Sequence, residues 1–395
     1  VPQAIHVEKS VSAQIYDPSF LWLYATACFL FLFGGFYLGK NRRAQKLRKP
    51  MLEFNSTRLT IAAGGLVIIG IVALNLTVRT VESQQLGSSW TGIATAYYLL
   101  SQTSYYGLAI AALMFARRPS VPLAIIIVVA VIGILPAVLT LVKRNVLFEL
   151  CVIAAGSLFF MRRYVPPRPL VFAAMIFGTI MIHQVGEIRN YIRDDRGSAI
   201  DAMMEGVLWE NFAYFDMERA HEVTQASVDV YVARQSGDME WGAEYWNKFV
   251  HQYVPAFLVG RDTKEGLKID VRRGSSEVAV EDYFSHGATR TGFSDSFRSF
   301  QLFGVLVFGL IGYVMGRLYS LAITGSLVGQ FLYVVLLNDA LFAITESTAR
   351  FISQLPFIAV ITVGVIIFSR HVPPGKRAHL RVKIPSASSP RPAQG

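Results

Sequence analysis

The chain has 395 residues, of which 53% are hydrophobic and only 16% charged, and it carries a net charge of +10. A soluble domain averages about 25% charged residues, so the composition excludes an ordinary soluble enzyme and indicates a chain built for a membrane. The two cysteines, Cys28 and Cys151, both fall in apolar stretches, which excludes a disulfide framework and makes a poor metal site. The basic excess sits at the ends of apolar stretches, where anionic lipid headgroups explain it better than nucleic acid. Val1 stands where an initiator Met would, and removal of an initiator or a longer leader is expected.

A spanning helix needs about 20 mostly apolar residues. In chain order the spans are expected at 20–39, 59–78, 92–115, 121–142, 145–161 and 169–185, and then at 299–319, 323–344 and 351–369. Pro136 falls inside the fourth, where a bundle tolerates a kink. Three spans carry polar groups: Gln102, Ser104, Tyr105 and Tyr106 in the third, Glu149 in the fifth, and Asn338 and Asp339 in the eighth. These side chains are expected to face the bundle interior. The tail, 371–395, is basic and then Ser/Pro-rich, a composition expected to be disordered.

The charge is sorted along the chain. Residues 186–297 contain no stretch able to cross a bilayer, and they hold 20 of the 27 acidic residues against 12 basic ones. That segment therefore carries −8, and the remainder +18. Lys and Arg of short loops stay in the cytoplasm, whereas a long acidic loop is translocated regardless of its charge. Nine spans with the N-terminus outside place the basic segments 40–49, 117–118, 162–168, Arg317 and the tail on one side. The conspicuous exception is Lys143–Arg144, cationic on the outer side. The expected fold is thus an all-α polytopic membrane protein. Spans one to six lie in 1–185, a partly helical extracytoplasmic cap in 186–297, spans seven to nine in 298–370, and a cytoplasmic tail in 371–395. No Walker, Rossmann or zinc-ligand spacing is present, and Gly-x-Ser-x-Gly is absent.

The closing part of the long segment, GATRTGFSDSFRSFQLFGVLVFGLIGYVMG, resembles the re-entry segment of Wzy-type oligosaccharide repeat-unit polymerases, in the O-antigen polymerase and ligase superfamily. VKRNVLFELCVIAAGSLFFMRR is similar to that family's Arg at an outer helix end followed by an apolar span and a basic inner loop. VPAFLVGRDTKEG is similar to its Pro-containing stretch that ends in a turn. Asn145 and Asp262 depart from the family's usual residues at those two turns. The resemblance covers residues 130–320 and rests on order and topology more than on any single motif.

The resemblance implies a GT-C-like glycosyltransferase of the bacterial inner membrane. It would move a lipid-linked oligosaccharide from polyprenyl diphosphate to a sugar hydroxyl, with a chain-length regulator protein as a further partner. No cofactor or metal is expected, because the chain lacks an Asp-x-Asp or paired carboxylates in its first outer segment. A dianionic diphosphate needs cations as it departs, and the acceptor hydroxyl needs a base. Arg144 and Arg290 are the expected diphosphate contacts and His286 the expected base, four residues from Arg290. Lys143, Arg261, Arg272, Arg273, Arg350, His251 and Asp295 are expected around the substrate. A transporter or flippase of a lipid-linked sugar is the competing class, and a ligase-like transferase the neighbouring one. Division of the spans by one large loop favours an enzyme over duplicated transporter halves.

Overall fold

The computed structural model describes residues 18–40, 53–82, 93–141, 144–169, 172, 221–237, 239–270 and 291–370. Among them the chain is helical, with no strand and a single antiparallel bridge between Phe54 and Arg370. Six stretches are long and apolar enough to cross a membrane: Ser19–Gly39, Ser56–Thr80, Ile93–Arg117, Gly292–Ile323, Leu327–Thr345 and Thr348–Ser369. The chain is therefore an all-α, multi-pass membrane protein. The fourth and fifth expected spans are present as helices, α5 (Val121–Leu141) and α6 (Arg144–Arg162). Nearly all of the sixth, half of 186–297 and the tail lie outside the described residues.

Two helices form an unusually close pair: α1 (Pro18–Gly39) and α12 (Val305–Ile323). Each carries a Gly-xxx-Gly step, Gly35/Gly39 and Gly312/Gly316. A methyl group at Gly312 would stand 2.0 Å from the Leu32 carbonyl oxygen, and one at Gly316 2.2 Å from that of Phe36. Lipid tails give little apolar driving force between helices, so backbone proximity supplies the packing instead.

The third span is not one rod. It is α3 (Ile93–Ser101) followed by α4 (Thr103–Arg117), offset at Gln102. The Ser101 and Thr103 hydroxyls donate to the Tyr98 and Leu100 carbonyls at 2.7 Å, satisfying oxygens at the break. Against it runs α2 (Ser56–Glu82), close enough that a Cβ at Gly107 would meet the Ala63 carbonyl at 2.6 Å. Ser104, Tyr105 and Tyr106 are buried in protein, as are Glu149, Asn338 and Asp339, so these polar groups do face the bundle interior.

The helix of the seventh span begins earlier than the expected residue 299. It starts as α11 (Gly292–Phe300), turns through a 3-10 segment at Gln301–Gly304 and continues as α12. Thr291 caps the start through the Ser294 N–H, so helix formation begins before the continuous apolar run does. The bend sits at Gln301, whose φ of 52° is unusual for a non-glycine residue. Gly304 fits there because a Cβ would strike the Tyr24 hydroxyl at 2.3 Å.

The last two long helices are α13 (Leu327–Thr345) and α14 (Thr348–Ser369). α13 runs antiparallel to α6: Phe148 meets Phe342 with ring centroids 5.8 Å apart, and Phe160 meets Tyr333 at 5.5 Å. The bundle thus has a proximal face, where α1, α6 and α14 begin, and a distal face, where α4, α6, α12 and α14 end. Arg117, Arg118, Arg162, Arg163 and Arg317 gather at the distal face, where Arg162 donates to the Ala116 carbonyl at 2.6 Å. Segments of 186–297 lie on the proximal face. α7 (His221–Ser236) packs Ala226, Val230 and Ala233 against Leu21, Tyr24 and Phe297. α8 (Ala243–Tyr253) lies along the start of α14 and is followed by two short turns of helix, α9 (Ala256–Val259) and α10 (Arg261–Gly266).

Candidate functional site

Charged side chains from four elements gather at the proximal end of α14, whose first turn reads Ser347-Thr348-Ala349-Arg350. Its N-terminal N–H groups need partners, and Asp295 from α11 accepts from one of them and from two side-chain hydroxyls beside it. Asp295 Oδ2 accepts from Ser347 Oγ at 3.0 Å, Thr348 Oγ1 at 2.7 Å and the Ala349 N–H at 3.1 Å. A carboxylate at a helix N-terminus also faces the positive end of the helix dipole. The other oxygen, Oδ1, is buried and has no hydrogen-bond partner among the described residues.

Two side chains of α8 complete this layer. Lys248 Nζ donates to Ser347 Oγ at 3.1 Å, and the Tyr245 hydroxyl lies 2.5 Å from Thr348 Oγ1. Each of the two small hydroxyls already gives its only proton to Asp295, so each accepts from its second neighbour. The result is a relay in which Lys248 and Tyr245 both converge on one carboxylate. Burial pulls the Lys248 ammonium below its ordinary range, and nearby Asp295 opposes that shift. Burial likewise raises the Tyr245 hydroxyl, with Asp295 acting in the same direction.

At the end of this first turn, Arg350 holds two carboxylates. Its Nε donates to Asp339 at 3.2 Å and its Nη1 to Glu346 at 2.5 Å, with the guanidinium 4.9 Å over the Phe342 ring. Side-chain exposure of 18% for Arg350 and 23% for Glu346 leaves this pair at the edge of the bundle, reachable from the proximal side. Glu149 on α6 is 8% exposed and lies within electrostatic reach of both Asp339 and Arg350. The Phe148–Phe342 contact puts Glu149 at nearly the depth of Asp339. Among the described residues the site thus has four carboxyl groups, Glu149, Asp295, Asp339 and Glu346, for two cations, Lys248 and Arg350.

Of the residues singled out in the sequence, Asp295 and Arg350 come together here. Arg144 begins α6, and the antiparallel register sets that start beside the end of α13, at the level of Glu346; its side chain lies outside the described set. His251 sits on α8 one turn beyond Lys248 and is half-buried. Burial, then the Lys264 charge, pull its imidazole below the ordinary value. Arg261 is exposed in the turn after α9, away from the cluster. Lys143, Arg272, Arg273, His286 and Arg290 lie outside the described residues.

Sequence reasoning missed Lys248, Tyr245 and Glu346. The Ser-Thr pair opening an apolar run marks the start of a helix, but it does not point to these three partners. Among the described residues no three His, Cys, Asp or Glu are grouped to hold a metal ion. A cavity of about 300 Å³ lies apart from the cluster, between Phe20 and Leu21 of α1 and Val230, Tyr231 and Arg234 of α7. No family model matches the chain, and no curated protein or solved structure is significantly similar to it.

Proposed function

We propose that the chain is a membrane glycosyltransferase that polymerises lipid-linked oligosaccharide repeat units at the outer face of a bacterial inner membrane. The observation that carries the reading is the joining of Lys248, from the long polar segment, with Arg350, Asp339 and Asp295 at the proximal bundle end. A lipid-anchored donor needs a site near the membrane boundary, and the position of this cluster at the proximal ends of α13 and α14 supports that reading. The sequence resemblance supplies the reaction class.

In this reading the acceptor hydroxyl oxygen attacks the anomeric carbon of the donor. A new glycosidic bond forms, the bond to the diphosphate oxygen breaks, and polyprenyl diphosphate leaves as the anion. The hydroxyl proton passes to a base. Glu149 and Asp339 are carboxyl groups at the right depth, and His286 is the sequence-level choice. Lys248, Arg144 and Arg290 are the cations for the diphosphate. Arg350 is engaged by two carboxylates, which suits it to orienting Asp339 rather than to clamping phosphate. The segments on the proximal face act as a cap that closes the site, and the basic distal face is cytoplasmic.

A permease for the same lipid is the second reading, favoured by Glu149, since buried carboxylates inside membrane bundles mark proton and substrate paths. One experiment separates the two. Purified protein in liposomes is given a polyprenyl-diphosphate oligosaccharide on one leaflet. Longer glycan chains, lost roughly tenfold to hundredfold in Lys248→Ala as expected for removal of a charge-assisted contact, support the polymerase. Movement of unextended lipid across the bilayer with no change in chain length refutes it and supports the permease.

A further inference from the structure

The depth of α8 against α14 carries a conclusion about the surface beyond the site. Tyr245, near the start of α8, touches Thr348, the first residue of α14. Tyr253, the last residue of α8, donates its hydroxyl to the Ser353 carbonyl at 2.5 Å and lies against the Phe357 backbone. The helix therefore descends alongside the span. Five residues separate Thr348 from Ser353, so the end of α8 stands about 7–8 Å deeper than its start. Pro356 lies inside α14 close to this point. It has no N–H to offer, so the helix lacks one donor to the Ile352 carbonyl, next to the Ser353 carbonyl that Tyr253 reaches.

Past Tyr253 the chain is apolar and uncovered. Val254-Pro255 leads into α9, where Phe257 is 53%, Leu258 72% and Val259 41% exposed. In water such a tip would be a costly surface. The chain then returns upward. Trp246 Nε1 donates to the Leu267 carbonyl at 2.8 Å, and Asn247 pairs with both the N–H and the carbonyl of Ile269. The returning segment therefore regains the level of Trp246, one turn from the start of α8. Trp246, Leu267 and Ile269 are exposed there, at the height of the first residues of α14. Charged groups stand between tip and return: Arg261, Asp262 and the Glu265–Lys268 pair at 2.7 Å. An amphipathic tip with a charged shoulder and an aromatic collar is the arrangement of a segment lying in the headgroup–acyl boundary.

We infer that the hairpin 254–269 is a membrane wedge whose tip, Phe257, Leu258 and Val259, inserts into the bilayer leaflet on the proximal side. The occupant of this apolar surface is lipid. The argument is continuity with the lipid-facing side of α14, where Val360, Val363 and Ile367 are also exposed. The charged residues of α10 hold the insertion shallow, and the anchor fixes α8 at its far end while Tyr245 and Lys248 fix it at the site. The inference needs only that α14 crosses the membrane, so it stands apart from the choice between polymerase and permease.

The test is spin labelling of the full-length protein in lipid nanodiscs. Leu258→Cys and, separately, Phe257→Cys are labelled in a Cys151→Ala background, leaving Cys28, which is fully buried. Gln235→Cys, exposed at the end of α7, is the aqueous control. The expected result at both tip sites is high collision with oxygen and low collision with a water-soluble nickel chelate, corresponding to a depth of about 5–10 Å below the headgroups. Nickel accessibility equal to that of the control overturns the inference, because the tip is then in water. Low accessibility to both reagents also overturns it, because the tip is then covered by protein, as in contact with a second copy.

Discussion

At the scale of single residues, the buried pair Arg298–Glu240 is the sharpest stability test. Arg298 on α11 reaches Glu240 at 2.8 Å with only 5% and 10% of the two side chains exposed, and the Glu240 N–H returns a bond to the Arg298 carbonyl at 3.3 Å. Removing one member of a buried pair leaves an uncompensated charge, which costs about 3–5 kcal/mol. Arg298→Ala is therefore expected to lower the midpoint of thermal unfolding in detergent steeply, and Arg298→Ala combined with Glu240→Gln to recover part of the loss; equal midpoints for single and double variants would contradict the pairing. His251 makes a different prediction, about pH. Its folded-state value is depressed by burial and by Lys264, with Lys268 and Lys248 acting the same way and Glu265 opposing them. The unfolded chain then binds the proton more readily, so stability is present above the ordinary value of 6.5 and is lost as pH falls below it. Unfolding midpoints measured from pH 7.5 to 5.5 should fall more in the native protein than in His251→Gln, where this proton-linked loss is absent. A parallel fall in both would remove His251 from the account.

Among elements, the close approach of α1 and α12 rests on glycine rather than on side-chain volume. A Cβ at Gly312 would meet a backbone carbonyl at 2.0 Å, and backbone, unlike the end of a flexible side chain, has nowhere to go. Gly312→Val should push the two helices apart and cost about 1–3 kcal/mol by overpacking. Gly34→Val, on α1 with open space around it, should be nearly silent; comparable losses in both variants, read as yield of monodisperse protein and unfolding temperature, would show that α1 does not depend on this contact. This pair also marks the limit of what sequence reading delivered. The apolar runs gave the helices and most of their ends, because length and hydropathy determine a span almost locally. They did not reveal the partner of α1, because Gly-xxx-Gly steps say that a helix packs closely but not against which neighbour. The early start of α11 was hidden for a similar reason: Gly292–Phe300 is amphipathic and polar, and its burial depends on α1, α7 and α14 meeting around it. Likewise Asp295 and Arg350 were legible as residues expected around the substrate, but the sequence offered no sign that Lys248, more than forty residues from Asp295 and a hundred from Arg350, would join them.

For the whole molecule the question is which way the bundle faces. The distal face collects Arg117, Arg118, Arg162, Arg163 and Arg317, while the carboxylates Glu149, Asp295, Asp339 and Glu346 all lie toward the proximal face. Charge is thus separated in space as well as along the sequence, and the positive-inside rule turns that separation into an orientation. The sequence expectation and the fold use the same rule but independent information: the first counts residues between apolar runs, the second shows that helices of alternating direction bring those residues to one end. The orientation this rule predicts has the proximal face extracytoplasmic, with α7 and α8 outside and the turn after α6 inside. Single cysteines test this in intact cells. Gln235→Cys should react with a membrane-impermeant maleimide, whereas Val165→Cys, which is exposed just beyond α6, should react only after the membrane is opened. The reverse pattern would place Lys248, Arg350 and their carboxylates on the cytoplasmic side. There the donor could be a nucleotide sugar, and the case for a lipid-diphosphate transferase would lose its physical basis, because that case depends on a reaction taking place where no nucleotide is present.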